Sequence, residues 1–279
     1  MISLIICSRH SDISQSLKEN IVETIGVESE LIVIDNSSNN HSIFSAYNEG
    51  VRRAKYPYLC FAHEDILFRT QDWGWNVIKH FEDTTIGLVG MAGTHFLPKV
   101  PVYWTHSPFI SEHNLTNDNG QVIECFKLDF FKDKDILDVV ACDGFCLFIR
   151  KELFKTIFFD EKTFTGFHYY DMDICMQVLA NNLRVCICND VLIEHFWSDN
   201  YNKIGLKSFY LNQEVFFNKW KNYLPISRGI NDIPSYVLDR LNGVFGDAYD
   251  AKKVRKSKAY KIGRFMLAPL KFLLRAKES

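Results

Sequence analysis

The feature that most constrains this chain is the alternation, through its first ninety or so residues, of short apolar runs with segments of helical period. Ile2–Cys7, Leu31–Ile34, Tyr58–Ala62 and Ile86–Met91 are apolar almost throughout, as strands buried on both faces must be. Between them lie segments with helix-spaced apolar residues over Ile13–Ile25, Ser42–Ala54 and Trp73–Phe81, for which Asp12, Ser42 and Asp72 are the expected N-caps. Strand and helix in strict alternation predict an α/β domain: a mostly parallel, Rossmann-like sheet with helices on both faces.

The pattern changes beyond Met91. Residues 94–138 read as irregular and aromatic, with a hairpin signal at Asp118-Asn119-Gly120. Val139–Ile149 reads as a strand interrupted by Asp143-Gly144. Asp171–Leu183 has helical spacing, Arg184–Cys188 and Val191–His195 read as short strands, and Lys207–Trp220 as a packing helix. The expected organisation is one domain over 1–230 and a short helical extension over 231–279.

Composition narrows the class. The chain has 279 residues and is 47% hydrophobic, ample for one large core. Its eight cysteines sit mostly in apolar runs and lack zinc-site spacing, which predicts buried thiols in a reducing compartment. No basic region precedes the first apolar run, and no run reaches the ~18 residues of a membrane span. The expectation is a cytoplasmic protein. Residues 251–279 carry ten Lys/Arg and one acid, against 22 and 33 in the remainder, so a +9 tail follows a −11 body. An acidic body argues against nucleic acid as partner.

Ligands of open α/β sheets bind outside the carboxyl ends of the strands, where Ser8, Asp35, Asn36 and His63-Glu64-Asp65 stand. The loop after the first strand, Ser8-Arg9-His10-Ser11-Asp12, has no glycine. That excludes a dinucleotide fingerprint and a P-loop, both of which need glycines for close backbone approach to phosphate. A diphosphate bound here would need a divalent metal on carboxylates to neutralise it.

A set of ordered motifs is more specific than any one of them: Val33-Ile34-Asp35-Asn36-Ser37, Ala46-Tyr47-Asn48-Glu49-Gly50, Phe61-Ala62-His63-Glu64-Asp65, Gly87-Leu88-Val89-Gly90, Asp143-Gly144 and Gly166-Phe167-His168-Tyr169-Tyr170-Asp171-Met172-Asp173. Over roughly residues 2–200 the chain resembles family-2-like GT-A glycosyltransferases, in particular a bacterial subgroup whose third strand ends in His-x-Asp rather than Asp-x-Asp.

The resemblance implies roles. Asp35 would read the nucleobase, usually uracil, with Asn36 and Ser8 also on the nucleotide; the alternative for Asp35 and Asn36 is an Asx-turn. Asp65 would ligate Mn²⁺ or Mg²⁺, with imidazole better tolerated by Mn²⁺. His63 would contact the ribose or the metal's surroundings, and His195 the metal or diphosphate, unless His195 is structural. Asp143-Gly144 would lie beside the donor sugar or form a bulge, since glycine in a strand marks a close approach. Glu64 is expected to face solvent. Family relatives read Glu-Asp-x-Asp where this chain has Tyr170-Asp171-Met172-Asp173, which makes Asp171 the catalytic base, kept ionised by its helix N-terminus, with His168 as rival. Trp104, His106 and His113 lie where an acceptor would be recognised.

The tail interleaves its cations with Phe265, Met266, Leu267, Leu270, Phe272, Leu273 and Leu274. Such basic amphipathic segments lie on anionic membranes, the alternative being a helix docked on the acidic body. The reading that follows is a metal-assisted, inverting transferase. It would move sugar from a nucleotide-sugar donor, a UDP-sugar, to a glycan or lipid-linked acceptor in polysaccharide assembly, peripherally on the inner face of the cytoplasmic membrane. A non-catalytic GT-A module that binds a nucleotide sugar or glycan is the second reading, kept open by His63.

Overall fold

In the computed structural model, residues 1–118, 121–127, 134–196, 203–230 and 234–256 are described. The elements run β1 (Ile2–Ser8), α1 (Gln15–Thr24), β2 (Ser29–Asp35), α2 (Ile43–Arg53), β3 (Tyr58–Ala62), β4 (Ile66–Phe68), α3 (Trp73–His80), β5 (Ile86–Gly90), β6 (Ala92–Thr94) and β7 (Phe96–Leu97). They continue with β8 (Ile110–Asp118), β9 (Gln121–Lys127), β10 (Ile136–Val139), β11 (Ala141–Cys142), β12 (Cys146–Arg150), α4 (Tyr170–Ala180), β13 (Arg184–Cys188), β14 (Ile193–His195), α5 (Lys203–Trp220), β15 (Ile226–Ser227) and α6 (Ser235–Lys256).

The apolar runs become a seven-stranded sheet in the order β10-β13-β5-β12-β3-β1-β2. β1 pairs in parallel with β2 and β3, and β13 with β5. β12 enters antiparallel between β3 and β5, and β10 closes one edge antiparallel. Ile2, Leu4, Ile5, Leu59, Phe61, Leu88, Val89, Leu147 and Phe148 are fully buried. The α/β expectation therefore holds, with a mostly parallel central sheet. Seven of the cysteines are free and buried or half-buried.

Several local expectations are corrected. α1 is capped by Ser14, whose hydroxyl accepts from the Leu17 amide at 3.2 Å; Asp12 instead accepts from the next amide, Ile13, and pairs with Lys18. Asp72 does occupy the cap position of α3, but at φ 57° its side chain makes no capping bond. Ser42 caps α2 as expected, accepting from Ser45 at 3.2 Å.

Val139–Ile149 is not one strand. β10, β11 and β12 are separate because the chain leaves the main sheet after Val139: Val140 N–H donates to Thr94 and Asp143 N–H to Ala92, and β11 pairs with β6. Residues 94–138, read as irregular, supply β8 and β9 to a second sheet ordered β11-β6-β8-β14-β4, with β9 on β8. Asp118 and Gln121 pair across that hairpin, whose Asn119-Gly120 turn lies outside the described residues. Among the described residues no helix is long and apolar enough to cross a membrane. The tail beyond Lys256 also lies outside them.

Candidate active site

Parallel strands β1, β2 and β3 end side by side, bringing Ser8, Asp35 and His63 to one edge of the sheet. The second sheet meets that edge, because β4 leaves Asp65 directly after β3 and pairs antiparallel with β14. The pairing puts His195 opposite Ile66, and the Phe196 amide donates to the Asp65 carbonyl at 2.8 Å. Two histidines 132 positions apart in the chain thus come to flank one carboxylate.

His63, Asp65 and His195 have ligand atoms that all lie within 4.8 Å of one another. Asp65 Oδ1 is 3.4 Å from His195 Nε2 and 3.7 Å from His63 Nδ1. That oxygen is buried and has no well-aligned hydrogen bond, His195 being its nearest donor at 3.4 Å, a costly condition for a carboxylate unless a cation satisfies it. Burial pushes the His63 imidazole down to about 4, so it is neutral near pH 7 and has a lone pair to give. The three residues fit a divalent ion, and a set of two imidazoles and one carboxylate suits a first-row ion such as Mn²⁺ better than the all-oxygen preference of Mg²⁺. His195 stacks on Phe145 with centroids 4.9 Å apart, which fixes its ring plane.

Asp171 begins the second part of the site. Tyr169, in the left-handed region at φ 74°, starts α4, a conformation uncommon for so bulky a residue. Asp171 is 2% exposed. It accepts from the Tyr103 hydroxyl at 3.0 Å and from the Met172 amide at 2.9 Å. Burial, with Asp143 adding like charge, raises its carboxyl to about 7. The ionisation expected from the helix N-terminus is thus outweighed by desolvation. Asp143 is itself raised by burial, its Oδ1 held by the Phe145 amide at 3.1 Å. Burial also lowers His168.

The remaining residues stand at the same edge. Asp35 Oδ1 accepts from the Ser37 amide at 2.9 Å, the Asx-turn alternative, and the Ser37 side chain followed by that amide holds the carboxyl below its ordinary range. Asn36 spends its amide inside the loop, donating to the His41 carbonyl at 3.0 Å and accepting from its amide at 2.8 Å. Ser8 is buried; its hydroxyl donates to Glu64 and accepts from the His10 amide at 3.0 Å. Glu64 therefore does not face solvent: it ties Ser8 to Arg9, whose Nε lies 3.3 Å away. Trp104 is buried.

Gly144 admits a close approach by a side chain of α4: a Cβ there would lie 2.1 Å from the Tyr170 hydroxyl. Sequence reasoning missed Tyr103 and Tyr170, which touch Asp171 and His63. The one signal for Tyr170 was that it stands where relatives carry an acid. A cavity of about 650 Å³ lined by Pro57, Tyr58 and Arg150 lies at the start of β3, the opposite edge from these residues.

The architecture has known counterparts. The crystal structure of GalNAc-T7 with UDP, GalNAc and Mn²⁺ aligns at a TM-score of 0.52 and 13% identity, over 80% of this chain and 50% of that one. TarS 1-349 of S. aureus aligns at 0.47 and 12% over 70% and 60%, and A197 from STIV at 0.43 and 15% over 71% and 86%. The chain spans half of the GalNAc-T7 chain, and the likeness supports the GT-A fold alone. No curated protein matches the sequence. A glycosyltransferase-like family, however, matches residues 3–220, which takes in both sheets, the His63–Asp65–His195 cluster and Asp171. The chain belongs to that family.

Proposed function

We propose that this chain transfers a sugar from a nucleotide-diphosphate donor, a uridine one, to a hydroxyl of a glycan or lipid-linked glycan, with inversion at the anomeric carbon. The observation that carries the reading is the buried Asp65 oxygen, without a well-aligned hydrogen bond, between His63 and His195 at the carboxyl edge of the sheet. GalNAc-T7 was crystallised with UDP, GalNAc and Mn²⁺, and the same classes of ligand suit this edge. His63, Asp65 and His195 would hold Mn²⁺ or Mg²⁺, which would supply positive charge for the departing diphosphate. Asp35 would accept from the base, with Ser8 and Asn36 shaping the loops around it, and Asp143 and Gly144 would border the sugar.

Asp171 is the proposed base. Its carboxylate takes the proton of the acceptor hydroxyl as that oxygen bonds to the anomeric carbon, while the nucleotide diphosphate leaves with the bonding pair. A carboxyl near 7 is basic enough for this and still largely ionised just above neutrality. The proposed setting is surface polysaccharide assembly, with the basic tail beyond the described residues resting on anionic lipid.

The test is Asp65→Ala, followed by calorimetry with uridine diphosphate and Mn²⁺. The expected result is at least ~100-fold weaker metal-dependent binding with an unchanged melting temperature. Retained affinity would overturn the assignment.

A further inference from the structure

Two side chains from motifs far apart in the sequence touch at this edge: His63 Nε2 and Tyr170 Oη are 2.8 Å apart. Both residues are buried or nearly so. Direction follows from what surrounds them. The Tyr47 hydroxyl donates to the Ala62 carbonyl at 3.5 Å, and a carbonyl can only accept. With its proton turned there, Tyr47 leaves its lone pairs to its neighbour Tyr170, whose ring packs edge-on against it with centroids 5.6 Å apart. A Tyr170 proton turned towards Tyr47 leaves its oxygen free to accept from His63 Nε2–H.

The opposite tautomer fails on the other side of the ring. A proton on Nδ1 would face Asp65 Oδ1 at 3.7 Å, too far for a hydrogen bond. Only the Nε2–H form leaves no proton stranded. It also leaves the Nδ1 lone pair and the Asp65 oxygen, two acceptors, facing one another, which is the arrangement a cation joins.

We propose that Tyr170 is a positioning residue that locks His63 in the Nε2–H tautomer with its Nδ1 lone pair turned to Asp65, and that residue 144 is glycine to admit the phenol that does so. The fit is steric as well as polar: a Cβ at Gly144 would meet the ring carbon Cζ at 2.4 Å as well as the hydroxyl. The ring is wedged among Tyr47, Phe44 and Phe167, with centroids 5.6, 6.3 and 5.9 Å away, so it has one place to stand. Hydrogen-bond partners of metal-binding histidines set tautomer and ring orientation in this way. An acid beside the imidazole would draw its proton by charge, whereas a phenol fixes it without adding charge to a buried edge.

The proposal rests on the metal reading of this site for its purpose, but its test does not. Long-range ¹H–¹⁵N spectra of the metal-free protein should show His63 protonated at Nε2 alone. Tyr170→Phe keeps the ring and should give a mixture of the two tautomers, with the Mn²⁺ dissociation constant raised about tenfold. Gly144→Ala, which retains the hydroxyl but displaces it, should shift the tautomer in the same direction. A wild-type His63 protonated at Nδ1, or a tautomer unmoved by Tyr170→Phe, overturns the proposal. If Asp65→Ala keeps full Mn²⁺ affinity while Tyr170→Phe still shifts the tautomer, the metal reading falls and the lock stands.

Discussion

Asp171 is the residue on which competing effects can be weighed. A helix N-terminus favours a carboxylate by roughly 0.3–1 kcal/mol, whereas burial beside Asp143 carries the group up to about 7. Desolvation wins. The unfolded chain releases this proton near the ordinary Asp value of about 3.9, so between about pH 4 and pH 7 the folded state holds a proton that the unfolded state has lost. Stability from this group is therefore present below that window and is lost as pH rises through it. Turnover moves the other way, since the base must be ionised, and should climb through about pH 7 to a plateau. Asp171→Asn keeps the shape and the Tyr103 contact while removing the titration. Its melting temperature should lack the decline with pH, its donor affinity should match wild type, and its turnover should fall at least ~100-fold on the plateau above pH 7 and lose its rise through that pH. Near-normal turnover in that variant, with an inactive His168→Ala, would transfer the role to His168.

Two residues further along α4, Asp173 is as deeply buried as Asp171 but does a different job at the scale of elements. Its oxygens accept from Trp220 Nε1 and Gln177 Nε2, both at 2.7 Å, and from Lys219 Nζ at 2.9 Å, which clamps α5 onto α4. Asp173→Ala strands the indole N–H and leaves Lys219 only Asp160. A loss of roughly 3 kcal/mol, or about 6–12 °C in melting temperature, should follow, with donor affinity retained; a melting temperature unchanged by the substitution would show that the clamp does not hold the helices. Both acids were legible as the start of a helix, but their opposite roles were not, because those depend on α5 and on Tyr103. The main sheet was legible because strands buried on both faces leave continuous apolar runs. The second sheet was not: β8 reads Ile110-Ser111-Glu112-His113-Asn114-Leu115, too polar to stand out, and β11 is a two-residue excursion hidden inside an apolar run. The His63–Asp65 spacing was visible at once, whereas His195 was expected near the metal only through the family resemblance; the pairing of β14 with β4, a contact no local pattern encodes, is what sets it beside Asp65.

Charge separates the molecule into two parts with different surfaces. The first 250 residues carry an excess of eleven acids, and residues 251–279 an excess of nine cations. An acidic body is repelled by an anionic bilayer, so any affinity for one must come from the tail, where each cation near the surface contributes about 1 kcal/mol. The helix that leads into it, α6, is anchored lightly: Asn242 accepts from the Lys99 amide at 2.6 Å, and Tyr249 donates to Glu214 at 3.0 Å. No described residue of α6 is fully buried. The proposed membrane contact therefore predicts that deleting residues 251–279 leaves a folded domain with an unchanged melting temperature, and that this domain no longer sediments with vesicles containing phosphatidylserine. Full-length protein should sediment with them at low salt and progressively less as salt shortens the screening length from about 30 Å at 0.01 M to about 8 Å at 0.15 M, and it should ignore neutral vesicles at any salt. The opposite electrostatics, a cationic tail folded back on the acidic body, makes a contrary forecast for the same deletion: the truncated domain would lose melting temperature and self-associate through the apolar surface its tail had covered. That result would refute the membrane contact.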